Sequence, residues 1–178
     1  SGNTDQRELV LSQVNGASMT LAQYALKALQ PINCIERELS MKIFFTRWKD
    51  RPVILDSWFG FQASTPWEEG IKPIKQLIKH PLFDSLAPNT IRAVLGGLAS
   101  NAPVFHAADG SGYEFMVNQI INLDKSNPIT ASRAAKVFSQ WKKYQGRYKS
   151  RMHEAIQSLA SADLSFNTRE VVDLIIDS

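Results

Sequence analysis

Pro88-Asn89-Thr90-Ile91-Arg92-Ala93-Val94-Leu95-Gly96-Gly97-Leu98 carries large apolar residues at 91, 94, 95 and 98. That is the i, i+3, i+4, i+7 spacing of a helix buried along one stripe. Pro88 suits the first turn, where its missing N–H would have had no partner. The glycine pair inside the run weakens a helix, so it marks either a close packing contact or the helix end.

The same period runs outward in both directions. Toward the N-terminus, Leu21, Tyr24, Ala25, Ala28 and Leu29 form a stripe behind Ser18 and Thr20. Ile35, Leu39, Ile43 and Phe44 continue it in a second helix, and Trp58, Phe59 and Phe61 mark a third after Pro52. A fourth runs from Trp67 to Ile78, with Thr65-Pro66 at its start and Pro73 kinking or splitting it. Toward the C-terminus, Asp109-Gly110-Ser111-Gly112 reads as turn chemistry opening a helix over Tyr113–Leu123. Asn127 reads as an N-cap with Pro128 as the first helical residue. Val137, Phe138, Trp141 and Tyr144 then share one face of a further helix, which Gly146 breaks or carries through. Met152, Ile156, Leu159 and Ala160 follow. The last helix starts near Asn167-Thr168-Arg169-Glu170, with Asn167 or Thr168 as its cap, and buries Val171, Val172, Leu174 and Ile175. Val53-Ile54-Leu55 is the nearest approach to a strand and is too short. The expected fold is all-α: an irregular superhelix or solenoid of about eight or nine antiparallel-paired helices, forming one domain over residues 1–178. No strict internal repeat of solenoid length is visible.

Composition sets the outer limits. The chain has 178 residues, 44% hydrophobic and 21% charged, with a net charge of +3. A chain this long buries roughly 70% of its unfolded surface, and this composition excludes disorder. The net charge is too small to argue for nucleic acid by itself. Cys34 is the single cysteine, so there is no internal disulfide framework. It reads as structural, in a reducing, cytoplasmic setting. No run approaches the ~20 apolar residues of a membrane span. The start at Ser-Gly-Asn rather than Met is expected of a processed or excised piece of a longer protein.

No catalytic constellation emerges. The histidines are His80, His106 and His153. A zinc-binding pair on a helix needs histidines at i and i+4 with a Glu between them. His153-Glu154 begins that pattern, but Gln157 holds the second ligand position. His80 sits at a helix end, where a cation is favoured. His106 precedes Ala107-Ala108-Asp109 and is expected to bond Asp109 or backbone. Gly110-Ser111-Gly112 is neither a nucleophile elbow nor a phosphate loop. Lys136, Lys142, Lys143, Arg147, Lys149 and Arg151 cluster around Trp141, Tyr144 and Tyr148. The cluster reads as a nucleic-acid grip or as a solvated basic face over a packed aromatic stripe, and the aromatic spacing fits the second.

Several phrases carry a resemblance. Residues 101–113, Asn-Ala-Pro-Val-Phe-His-Ala-Ala-Asp-Gly-Ser-Gly-Tyr, resemble a phrase of the C-terminal domain of bacterial aminopeptidase N, a gluzincin zinc exopeptidase family. Asn127-Pro128-Ile129-Thr130-Ala131-Ser132-Arg133 resembles the segment that follows there. So do Leu55-Asp56-Ser57-Trp58-Phe59 with Gln62-Ala63-Ser64, and residues 89–96. The phrases come in the family's order and spacing and cover roughly residues 50–150.

The resemblance implies an accessory domain that caps the active-site cavity of a multidomain enzyme removing N-terminal residues from peptides, gating access and tuning specificity. The zinc motif and the Gly-Ala-Met-Glu-Asn exopeptidase motif belong to the family's catalytic domain and do not occur here. No catalytic residue, metal or cofactor is therefore expected in this chain. Zinc is expected in the catalytic domain of the parent. The implied partners are that catalytic domain and short peptides, without a membrane or nucleic acid. By position, Arg92 and Arg133 would face the substrate channel and meet a peptide carboxylate, or would form structural ion pairs within the domain. Ile129 would offer an apolar wall where some relatives have a glutamine. His106, Asp109 and Tyr113 would hold the loop before their helix. The alternative is a stand-alone helical scaffold, or a nucleic-acid-binding module using residues 136–151.

Overall fold

The computed structural model describes residues 2–16, 18–66 and 70–178, with the side chains of 2–5 left out. Eleven α-helices follow one another: α1 (Gly2–Asn15), α2 (Met19–Leu29), α3 (Ile35–Trp48), α4 (Pro52–Ala63), α5 (Lys72–Leu77), α6 (Pro88–Ser100), α7 (Ala102–Phe105), α8 (Ser111–Asp124), α9 (Pro128–Ala135), α10 (Gly146–Ala160) and α11 (Phe166–Asp177). Two 3-10 turns, Lys136–Phe138 and Trp141–Lys143, join α9 to α10. Among the described residues there is no strand, so the all-α expectation holds.

Local chemistry sets the boundaries. Ser18 Oγ accepts from the Leu21 N–H at the start of α2, and Asn127 Oδ1 accepts from the Thr130 N–H at 3.0 Å to start α9. Pro52, Pro88 and Pro128 all stand in first turns. Gly110 adopts φ 78° just before α8, a left-handed conformation that a side chain would resist.

Helices adjacent or one apart in sequence pack on one another, as in a solenoid. α1 lies on α2 and α3, α4 on α6, and α8 on both α9 and α10. α11 closes the end against α9 and α10, and α6 meets α9 across the middle. The α4–α6 contact explains the glycine pair. A Cβ on Gly97 would stand 2.6 Å from Ala63 Cβ and 2.7 Å from the Gly60 carbonyl oxygen, so only glycine permits that approach. Gly96 faces away and is exposed, with nothing within 4 Å of a built Cβ. Thr90 Oγ1 donates to Asp56 Oδ1 at 2.6 Å across the same helix pair.

Two polar networks tie helix ends together. Gln30 Nε2 donates to the Phe61 carbonyl, and Asn101 Nδ2 donates to the Ala63 and Thr65 carbonyls, filling acceptors that the end of α4 leaves open. Buried Arg37 reaches Thr65 Oγ1 at 2.6 Å in the same network. At the other end, buried Asp124 accepts from the Ser165 N–H, Ser165 Oγ and Thr168 Oγ1, joining the end of α8 to the start of α11.

Several sequence expectations change. Val137, Phe138, Trp141 and Tyr144 lie on the two 3-10 turns and the residue after them, not on a continuous helix, and Gly146 begins α10 with φ 55°. Pro73 stands in the first turn of α5 instead of kinking a longer helix, while Trp67 lies outside the described residues. The cap of α11 is Ser165, before both expected candidates, Asn167 and Thr168, and Thr168 turns its hydroxyl inward to Asp124. α2 buries Ala22, Ala25, Leu26 and Leu29, leaving Leu21 and Tyr24 exposed. Its small residues face the neighbouring helices and permit close packing. Ile35, Leu39 and Leu174 are likewise exposed, because α3 and α11 carry apolar residues on more than one face.

Candidate functional site

α6 and α9 enclose an open groove of about 380 Å³. Ile91, Leu95, Ala99, Met116, Thr130, Ala134 and Val137 line it, and Arg92 and Arg133 stand at its edge. The geometry follows from how each helix buries its stripe. α6 turns Ile91, Val94, Leu95 and Leu98 inward, which leaves Arg92 and Gly96 exposed. α9 turns Thr130, Ala131 and Ala135 inward, which leaves Ile129 and Arg133 exposed. The bare backbone at Gly96 keeps the groove open.

The two arginines lie 41 positions apart in sequence and share this groove. Arg92 Nη2 donates to the neutral Asn89 Oδ1 at 2.6 Å, and Arg133 makes no hydrogen bond or ion pair with a described residue. The one ion pair among the described residues is Arg151–Glu154 at 3.1 Å, so neither arginine has a structural carboxylate partner there. Two guanidinium forks above an apolar floor suit a ligand with an anionic end and an apolar body. Ile129 is 56% exposed and stands one turn before Arg133, outside the groove lining.

His106 does not bond Asp109 or backbone as expected, and the two residues have separate partners. His106 Nδ1 shares a 2.5 Å hydrogen bond with the Tyr113 hydroxyl, and Nε2 lies 3.4 Å from the Tyr144 hydroxyl. Asp109 instead accepts from the Ser111 N–H at 2.9 Å, which opens α8. Burial pushes the His106 imidazole below its usual range and the Tyr113 phenol up to about 12. The Ser111 hydrogen bonds hold the Asp109 carboxyl below the usual carboxylate range. Sequence reading missed Asp124. Burial pushes its carboxyl up, but the Ser165 and Thr168 hydrogen bonds outweigh that and hold it low. The available signal was an acidic residue at a helix C-terminus, where the dipole disfavours it.

The histidines do not converge. His80 Nδ1 accepts from the Leu82 N–H among the rings of Phe45, Trp58 and Phe59. His153 stacks on Trp141 with centroids 5.0 Å apart. Among the described residues no group of three His, Cys, Asp or Glu side chains could hold a metal, so the described residues offer no zinc site. In the basic segment, Trp141 is buried, its Nε1–H is given to the Ile175 carbonyl and one face is covered by His153, so it offers no platform for a base. Among the described residues no helix is long and apolar enough to cross a membrane.

Comparison with known proteins adds the following. Residues 1–177 match the family described as a domain of unknown function (DUF3458_C) with ARM repeats. Aminopeptidase N of Escherichia coli (strain K12) is 33% identical over 153 residues, which is 85% of this chain and 18% of that protein. Aminopeptidase N of Caulobacter vibrioides is 30% identical over 139 residues, 77% of this chain and 16% of that protein. A crystal structure of Legionella pneumophila aminopeptidase A in complex with aspartic acid superposes with a TM-score of 0.88 at 29% identity, covering 99% of this chain and 21% of that one. The chain thus spans about a fifth of the length of these relatives.

Proposed function

The chain belongs to the DUF3458_C family of ARM-repeat domains, and on that premise we propose that it is the C-terminal helical domain of a zinc-dependent aminopeptidase, where it caps the active-site cavity and tunes which peptides enter. The hydrolysis itself, removal of N-terminal residues by zinc-activated water, falls to a catalytic domain of the same polypeptide. This chain's share is binding and positioning.

The observation that carries this reading is the shared position of Arg92 and Arg133 on one apolar groove, without carboxylate partners among the described residues. A short peptide laid in the groove would give its C-terminal carboxylate to the guanidinium forks and its last side chain to Leu95, Met116 and Val137. Ile129 would present an apolar wall on the same exposed side of α9. The free thiol of Cys34 fits a cytoplasmic setting.

The test is complementation. An aminopeptidase of this family truncated before its helical domain is mixed with the chain, and cleavage of an aminoacyl arylamide and of short peptides is followed. The capping role predicts activity restored or altered by the chain, and a weaker effect on peptides when Arg92 and Arg133 are replaced by glutamine. An unchanged rate and no association between the two pieces would overturn it.

A further inference from the structure

A second hollow, of about 520 Å³, opens between α7 with the loop after it and the start of α10, and shares no lining residue with the α6–α9 groove. Three rings form its wall. The His106 centroid lies 4.9 Å from that of Tyr144 and 5.9 Å from that of Tyr148. Pro103 and three alanines supply a smooth apolar floor. The rim carries Arg147, whose guanidinium carbon lies 5.1 Å from the Tyr148 ring centroid and whose Nη2 donates to the Tyr148 hydroxyl at 3.3 Å.

Each component is held in place without being used up. Both His106 ring nitrogens are engaged, by Tyr113 and Tyr144, so the imidazole offers its face and edge but no free nitrogen. Arg147 keeps its remaining N–H donors and one face of its plane free of described partners. Residues 136–151 carry six Lys and Arg side chains and no carboxylate, so the segment that supplies Arg147 to the rim is basic. Nothing in the aminopeptidase reading calls on this hollow.

We propose that the hollow bounded by His106, Tyr144, Arg147 and Tyr148 is a binding site for a small planar ring carrying an anionic group. The ring stacks on the tyrosines, and the anion meets the Arg147 fork. Two sources share that chemistry: a mononucleotide, and an aromatic residue with a free carboxylate.

The test titrates the full chain, by side-chain nuclear magnetic resonance, with adenosine 5′-monophosphate, N-acetyltryptophan, adenosine and inorganic phosphate. The expected result is saturable 1:1 binding of at least one ring anion, with shifts at His106, Tyr144 and Tyr148. It should be about tenfold or more tighter than adenosine or phosphate alone. Whichever ring anion binds more tightly identifies the source. Arg147→Gln and Tyr148→Ala should each weaken binding by about tenfold, and Tyr24→Ala, an exposed tyrosine elsewhere, should not. Arg147→Gln removes no buried contact, so it reads out binding even where Tyr148→Ala unfolds. Saturation by neither ring anion, phosphate binding as tight as the ring anions, or an unchanged Arg147→Gln affinity would each overturn the proposal.

Discussion

The Thr168 hydroxyl donates to the Asp124 carboxylate at 2.5 Å across 44 positions of sequence. The same Thr168 hydroxyl lies 3.3 Å from the Pro128 carbonyl at the start of α9. One buried carboxylate and one hydroxyl thus gather three helix ends, the last residue of α8 and the first turns of α9 and α11.

Replacing Asp124 with alanine leaves the Ser165 N–H, Ser165 Oγ and Thr168 Oγ1 without their acceptor. The expected loss is about 2–4 kcal/mol of stability by urea unfolding. An effect within about 0.5 kcal/mol would mean that water replaces the carboxylate without cost. The folded carboxyl titrates below its unfolded value, so its contribution is present above about pH 4 and fades as pH falls further through the folded value. Asp124→Asn should therefore flatten the acid limb of the stability profile.

His106 supplies a second pH dependence, at higher pH. Burial lowers its pKa in the fold, so below about pH 6.5 the unfolded chain binds a proton that the folded chain resists. Stability should be constant above that pH and fall as pH drops from about 6.5 toward the folded value. Urea midpoints at pH 7.5 and pH 5.5 check this. His106→Gln, which cannot take up the proton, should show a smaller difference between the two.

The adjacent glycines should respond with opposite signs. Gly96→Ala adds a methyl group in open space inside a helix and should stabilise by about 0.5–1 kcal/mol. Gly97→Ala drives a methyl group into Ala63 and the Gly60 carbonyl, and should destabilise by about 1–3 kcal/mol. Thermal melts of the two variants decide it. Equal shifts would contradict the described α4–α6 approach.

At the groove, Arg92→Gln and Arg133→Gln should each weaken a short free-acid peptide by about three- to tenfold and leave its C-terminal amide unaffected. Neither arginine has an ionic partner among the described residues, so the thermal midpoint should stay within about 1 °C of the parent's. A shared loss for acid and amide would point to altered groove shape and away from carboxylate recognition.

The parts of the fold that could be read from sequence are those where one signal points one way. Pro88 with the stripe at 91, 94, 95 and 98 gave α6, and Asn127-Pro128 gave the cap and first residue of α9. Ambiguity came where two periods agree. Phe138, Trp141 and Tyr144 recur every third residue, which fits a helical stripe as well as successive 3-10 turns. The stripes on α2 and α3 misled because both helices carry more apolar residues than the core accepts, and tertiary packing chose Ala22 and Met41 over Leu21 and Leu39. α1 has no clear stripe and went unread. At the candidate site, the family phrases singled out Arg92 and Arg133, but their common groove depends on the α6–α9 approach, which spacing does not encode. Asp124 showed only as an acidic residue at a disfavoured helix end, and its partners were not legible because they lie about forty residues away.

The Gly97–Gly60 approach has a mechanical consequence. Backbone pressed on backbone, with no side chain between to change rotamer, gives that joint little compliance, so α4 and α6 would translate together under load. Widening of the α6–α9 groove must then come from the α9 side, pivoting where Asp124 pins the helix ends. The seating of α9 on α8 and α11, with the Asp124–Thr168 pair at its first turn, would set how large a guest the groove can admit.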